Sequence, residues 1–162
     1  MRRSVSVFVA CWLILAFAGS AAAAVRVVRV EADAGWVSTG IEVSGGDNLS
    51  VKTTGFATTA PIPAFLIPGV AISGSGPAGQ SFQGFTCGDI EPNVDPSIVG
   101  ECAVDDAFFG ELVGRVGDTV FAIGDTDSIE IPAGASGTLE LAVNDFTLTY
   151  FDNHGGFTVV FG

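Results

Sequence analysis

The sequence predicts an all-β domain, a sandwich or barrel, behind an N-terminal export signal. Three observations carry that expectation. No stretch beyond the first 24 residues sustains the 3.6-residue apolar repeat of an amphipathic helix. Twenty-two glycines and seven prolines break the 162-residue chain at short intervals. Between them lie short β-branched and aromatic runs with turn signals at regular spacing, the pattern of a sandwich or barrel.

In chain order the runs are "VRVVRVEA" (25–32), "GWVSTGIEV" (35–43), "LSVKTTGFA" (49–57), "ELVGRVG" (111–117), "TVFAIG" (119–124), "SIEIPAG" (128–134), "TLELAV" (138–143), "FTLTYF" (146–151) and "FTVVF" (157–161). Each is expected to be a strand. "SGGDN" (44–48) reads as a hairpin turn, its glycines supplying positive φ.

Residues 1–24 read as a secretory signal peptide: two arginines, an apolar run over 5–18, then small residues with an A-x-A-type cleavage signal. Cleavage after Ala22, Ala23 or Ala24 fits equally. The apolar run is too short for a comfortable membrane span, and Cys11 lies within it rather than at its end, which disfavours a lipid anchor. The remaining 138 residues (25–162) amount to one exported domain, large enough to bury its own core. Secretion and the periplasm are equally compatible destinations.

Loss of the signal removes Arg2 and Arg3 and leaves four basic residues against 18 acidic ones, a formal charge of −14. Such a surface argues against a nucleic-acid partner. It suits a cation such as calcium or a neutral ligand such as a sugar; plain solubility is the simpler explanation of the same charge.

Two cysteines remain, Cys87 and Cys102. In an exported chain an even pair reads as a disulfide, here enclosing the 14 residues "GDIEPNVDPSIVGE". They fall within a Pro-, Gly- and Ser-rich excursion, residues 61–103, with no long alternating strand. So long a loop is functional or disordered as a rule, and the disulfide argues for order.

Catalytic signatures are sparse. The single histidine, His154, sits beside two glycines without a nucleophile elbow. A zinc ligand set is absent from the sequence. Asp105 and Asp106 are paired carboxylates of the kind a glycosidase uses, but nothing in the sequence marks either as an acid with a raised pKa. "GDTDSIE" (124–130) begins like an acidic calcium loop and lacks the glycine and glutamate that complete one. These features predict a protein that is not an enzyme.

The richest segment is "NDFTLTYFDNHGGF" (144–157), with Asn144, Asp145, Asp152 and Asn153 crowded between apolar runs. Calcium takes six to eight oxygens from carboxylates, amides and backbone carbonyls. An ordinary polar turn, with Asp and Asn bonding their own backbone, has the same composition.

At this point the sequence resembles the bacterial galactophilic lectins of the PA-IL (LecA) type. Their last two strands flank Asn-Asp, four residues, Tyr, one residue, Asn-Asn, and a glycine step to Phe. This chain has Asn144-Asp145, Tyr150, Asp152-Asn153, Gly155 and Phe157 at that spacing. "DDAFFGELVGRVG" (105–117) and "ADAGWVSTGIEVSGGDNLSVKTTGFA" (32–57) are similar to further family stretches. The resemblance implies a jelly-roll β-sandwich that binds one Ca2+, on which a sugar's vicinal hydroxyls complete the coordination. Carried over by position, it implies metal ligation by the side chains of Asp145, Asp152 and Asn153 and by the backbone carbonyls of Thr149 and Thr59. It implies sugar contact at Asp145, Phe146 and Asp152.

Three departures accompany the match. Asp152 replaces an asparagine, adding charge for the cation and removing an amide donor. The family's His and Gln sugar contacts have no counterpart, because the 61–103 excursion occupies that region. Phe146 replaces a smaller residue beside Asp145. The expectation is therefore a secreted, calcium-dependent carbohydrate-binding protein with a galactoside as its partner. The alternative is a secreted structural or interaction module in which calcium only staples the C-terminal loop.

Overall fold

The computed structural model describes residues 25–59, 74–80 and 85–162. The expected signal segment lies outside them, as do residue 60 and residues 61–73 and 81–84 of the excursion. Among the described residues no helix is long and apolar enough to cross a membrane.

The strands are β1 Arg26–Glu31, β2 Val37–Ser44, β3 Asn48–Thr58, β4 Ala78–Gln80, β5 Phe109–Val116, β6 Thr119–Ala122, β7 Ser128–Glu130, β8 Ser136–Val143 and β9 His154–Phe161. They form two antiparallel sheets. One runs β1-β9-β3-β7; the other runs β2-β8-β5-β4, with β6 also pairing to β5. The all-β jelly-roll-type sandwich expected from the sequence is the observed architecture.

Period-2 patterning explains the faces. Val28 and Val30 of β1, Phe157, Val159 and Phe161 of β9, and Leu139, Leu141 and Val143 of β8 point inward into one apolar core with Leu112 and Val116 of β5. Their neighbours Val27, Arg29, Lys52 and Thr158 stay at or near the surface. β5 differs, being buried on both faces. Its residue Phe109 lies under a third layer formed by the disulfide segment, and Val113 packs with Val104, Ala107 and Ala142.

That layer is built from residues 85–103 of the excursion. It holds α1 (Cys87–Ile90), a 3₁₀ turn (Glu91–Asn93) and α2 (Pro96–Val99). The Asp89 carboxylate accepts from the Thr86 N–H at 2.9 Å, capping α1. At α2, Asp95 accepts from the Ser97 N–H at 3.0 Å and Pro96 opens the helix. Single turns this short show no periodicity in a sequence. Cys87 and Cys102 are joined, and with Ile90, Val94, Val99, Phe109 and Phe146 they form a second apolar cluster.

Two local expectations are corrected. "SGGDN" does make a tight turn, with Asp47 N–H on the Ser44 carbonyl at 2.9 Å and Gly46 at φ 89°. Yet it is a corner rather than a hairpin, since β2 and β3 belong to different sheets. "FTLTYF" is not a strand: only Phe146 bridges, to Cys102, and a turn and a 3₁₀ turn at Tyr150–Asp152 follow. Burial of Phe146 against Phe109 overrides the β-propensity of the threonines.

The third layer is closed by the disulfide as well as by apolar contact. Changing Cys87 and Cys102 together to Ser is expected to lower unfolding stability by roughly 3 kcal/mol, the loop-entropy value for a bridge of this span. A urea denaturation midpoint equal to that of the unaltered protein would contradict this role.

Candidate functional site at the rim of the sandwich

Three chain segments end together at one end of the core. The inward row of β8 (Leu139, Leu141, Val143) is continued by Asp145, and that of β3 (Val51, Ala57) by Thr59. The β3–β9 register pairs Thr58 with His154, which sets Thr59 against Asn153. Thr59, Asp145 and Asn153 are 1%, 4% and 1% exposed. The apolar interior therefore finishes in a buried rim of oxygen-bearing side chains.

Glycine makes the approach possible. A Cβ on Gly155 (φ 81°) would strike the Phe56 carbonyl, and one on Gly156 (φ 150°) the Val30 carbonyl, so β9 can start close to both neighbouring strands only with these residues.

Asn144 faces the other way and locks the end of β8 to the covering layer. Its carbonyl accepts from the Val104 N–H at 2.9 Å, and its amide donates to the carbonyls of Val104 and Ala107 at 3.0 Å. It is fully buried and structural. A polar residue directly after the apolar run "TLELAV" was the sequence signal for such a latch.

Asp145 accepts from the Phe146 N–H at 2.7 Å, and Asn153 and Thr149 also hydrogen-bond to it. Asn153 is held in turn by donating to the Ala32 carbonyl at 3.2 Å. Burial outweighs these bonds: the Asp145 carboxyl is pushed up to about 7, and the nearby Asp152 charge adds to the shift. Asp152 is also raised, mainly by burial. Burial, and then the Asp145 charge, raise the Tyr150 phenol. The Thr59 hydroxyl, the Tyr150 hydroxyl and Asp152 Oδ1 are buried without a hydrogen-bond partner. Among the described residues the ion pairs are Arg29–Glu31 and Arg115–Glu140, so neither Asp145 nor Asp152 is balanced by Lys or Arg.

The structure thus gathers Asp145, Asp152, Asn153 and Thr149 about one carboxylate and sets Thr59 across from Asn153. Oxygen donors that include one buried and one half-buried carboxylate, with buried oxygens lacking partners, have the donor chemistry of a calcium site. Asp145, Asp152, Asn153 and the carbonyls of Thr149 and Thr59 would hold the ion.

Phe146 is a correction. Expected as a sugar contact, it is fully buried, its ring centroid 5.3 Å from that of Phe109, and it offers no surface to a ligand. Glu91, Cys102 and Asp105 also lie close together, but the Cys102 sulfur is committed to the disulfide and cannot serve as a thiolate ligand.

No family model and no curated protein matches the chain. Solved structures do. One described as "EclA N-terminal domain; PllA-like lectin" superposes with a TM-score of 0.54 at 19% identity, over 84% of this chain and 93% of that one. The chain has a lectin-like fold. At that identity the likeness extends to the architecture alone.

The electrostatics of this lectin-like rim set a pH dependence. A carboxyl raised in the folded state above its ordinary value of 3.8 contributes stability below that value and loses it as pH rises through about 7. In chelator, thermal stability is expected to fall between those pH values. Calcium, which needs deprotonated ligands, should offset the fall toward neutral pH. Asp145→Asn should flatten the chelator profile. A melting temperature that rises over the same interval without calcium would contradict the buried-carboxyl account.

Proposed function

We propose that this chain is an exported, calcium-dependent carbohydrate-binding protein of the PA-IL (LecA) type, without catalytic activity, whose ligands are galactose-type sugars. The observation that carries this reading is the oxygen cluster of buried Asp145 and Asn153 and half-buried Asp152, with no Lys or Arg ion pair among the described residues, at the rim of a lectin-like sandwich. In it, Asp145, Asp152 and Asn153 ligate through side chains and Thr149 and Thr59 through carbonyls. Two adjacent sugar hydroxyls complete the calcium shell and donate hydrogen bonds to the carboxylates of Asp145 and Asp152. The signal-like layout of residues 1–24 and the Cys87–Cys102 disulfide support export.

A second reading has its own observation. Residues 99–103 run alongside the loop after Asp145, with Ala103 N–H on the Asp145 carbonyl at 3.1 Å, Thr147 N–H on the Glu101 carbonyl and Leu148 N–H on the Val99 carbonyl, both at 2.9 Å. Calcium there would staple the disulfide layer to the C-terminal loop, in a structural module that takes no sugar.

Calcium titration by calorimetry, with and without galactose, separates the two. At about one hundred times its Kd, calcium should add about 3 kcal/mol of stability. That response should vanish in both Asp145→Ala and Asp152→Ala. Galactose should bind only with calcium present. Calcium binding with no sugar uptake favours the staple, and a melting temperature indifferent to both calcium and chelator removes the metal.

A further inference from the structure

Beside the oxygen cluster the chain exposes an aromatic side chain. The turn Tyr150–Asp152 is 3₁₀, so successive side chains leave it about 120° apart. Tyr150 buries its hydroxyl and Asp152 buries Oδ1. Phe151 between them points out, 79% exposed, the highest value for any large hydrophobic among the described residues. Leu148 lies three residues earlier and is 53% exposed. Two consecutive turns, closed by Thr149 N–H on the Phe146 carbonyl and by Asp152 N–H on the Thr149 carbonyl, carry Leu148 and Phe151 on the same short loop. The loop does not need Phe151 for its own packing, because Phe146 is the aromatic that enters the core.

We propose that Phe151, extended by Leu148, is a shelf that takes the apolar C–H face of the saccharide whose hydroxyl edge meets Asp145 and Asp152. This rests on the calcium-dependent sugar-binding reading and specifies how the ligand lies. A pyranose is amphipathic, with hydroxyls around its edge and C–H groups on a face. The turn presents the matching pair: a carboxylate on one side chain and an aromatic ring on the one before it. Aromatic faces attract polarised C–H groups and add apolar burial. The neighbouring acidic groups disfavour anionic sugars, so the class of ligand is a neutral saccharide. Phe151 acts on sugar affinity and orientation and leaves calcium affinity to the oxygen ligands.

The test compares the full exported chain with Phe151→Gly and Phe151→Trp. Each is titrated with calcium, then with methyl β-galactoside, methyl glucoside and methyl mannoside in saturating calcium. Calcium titrations should coincide, which also reports that the variants are folded. Sugar affinity should fall about tenfold in Phe151→Gly. Phe151→Trp should retain it, with a tryptophan emission change on adding sugar that disappears in chelator. Equal sugar affinity in Phe151→Gly and the unaltered protein, with calcium binding intact, overturns the shelf while the calcium-dependent reading stands. Calcium uptake without binding of any of the three sugars by the unaltered protein overturns both.

Discussion

The Asp145 carboxylate is buried where the apolar interior of the sandwich ends, and the surrounding structure is arranged around that fact. A lone carboxylate out of water is unfavourable unless it is neutralised, hydrogen-bonded or paired with a cation. Here the Phe146 N–H, Asn153 and Thr149 supply hydrogen bonds, and they do not outweigh burial. A second carboxylate, Asp152, sits close enough to worsen the balance. Protonation relieves this below about pH 7; above it a cation beside the two carboxylates would do so, and partnerless buried oxygens are present on Thr59, Tyr150 and Asp152.

Holding this arrangement takes the rest of the fold. Asp145 keeps its place because Asn144, the residue before it, is bonded into the covering layer from the opposite side. That layer is ordered by the Cys87–Cys102 bridge and by the cluster in which Phe109 and Phe146 meet edge to face. From the other sheet, Gly155 and Gly156 let β9 begin against β3 and β1, which brings Asn153 to Thr59. The same loop that buries Phe146 turns Phe151 out to solvent, so one short segment provides both a core anchor and an exposed aromatic ring.

Much of this was legible in the sequence, and the parts that were not have a common cause. The strands with strict alternation, such as "TLELAV" and "FTVVF", were plain because one face of each is core. Asp145, Asp152 and Asn153 were legible by residue type and spacing. Their burial was not, since it depends on Thr59 and Ala32 arriving from distant strands. "SGGDN" shows its turn but not whether the flanking strands pair, because pairing is decided by sheet topology. β4, three residues in a Pro- and Gly-rich stretch, carries no pattern and exists through its pairing to β5. Phe146 and Phe151 stand among similar neighbours, and only tertiary packing determines which is core and which is exposed.

The central claim is that one calcium ion occupies the rim between Asp145 and Asp152. The most direct measurement is a crystal structure of the protein grown in saturating calcium, with anomalous data to locate the ion. The account predicts a peak within bonding distance of the Asp145 and Asp152 carboxylates, the Asn153 side chain and the carbonyls of Thr149 and Thr59, with coordination positions left open toward Phe151. No ion at that place in saturating calcium, with both carboxylates in their present positions, would contradict it.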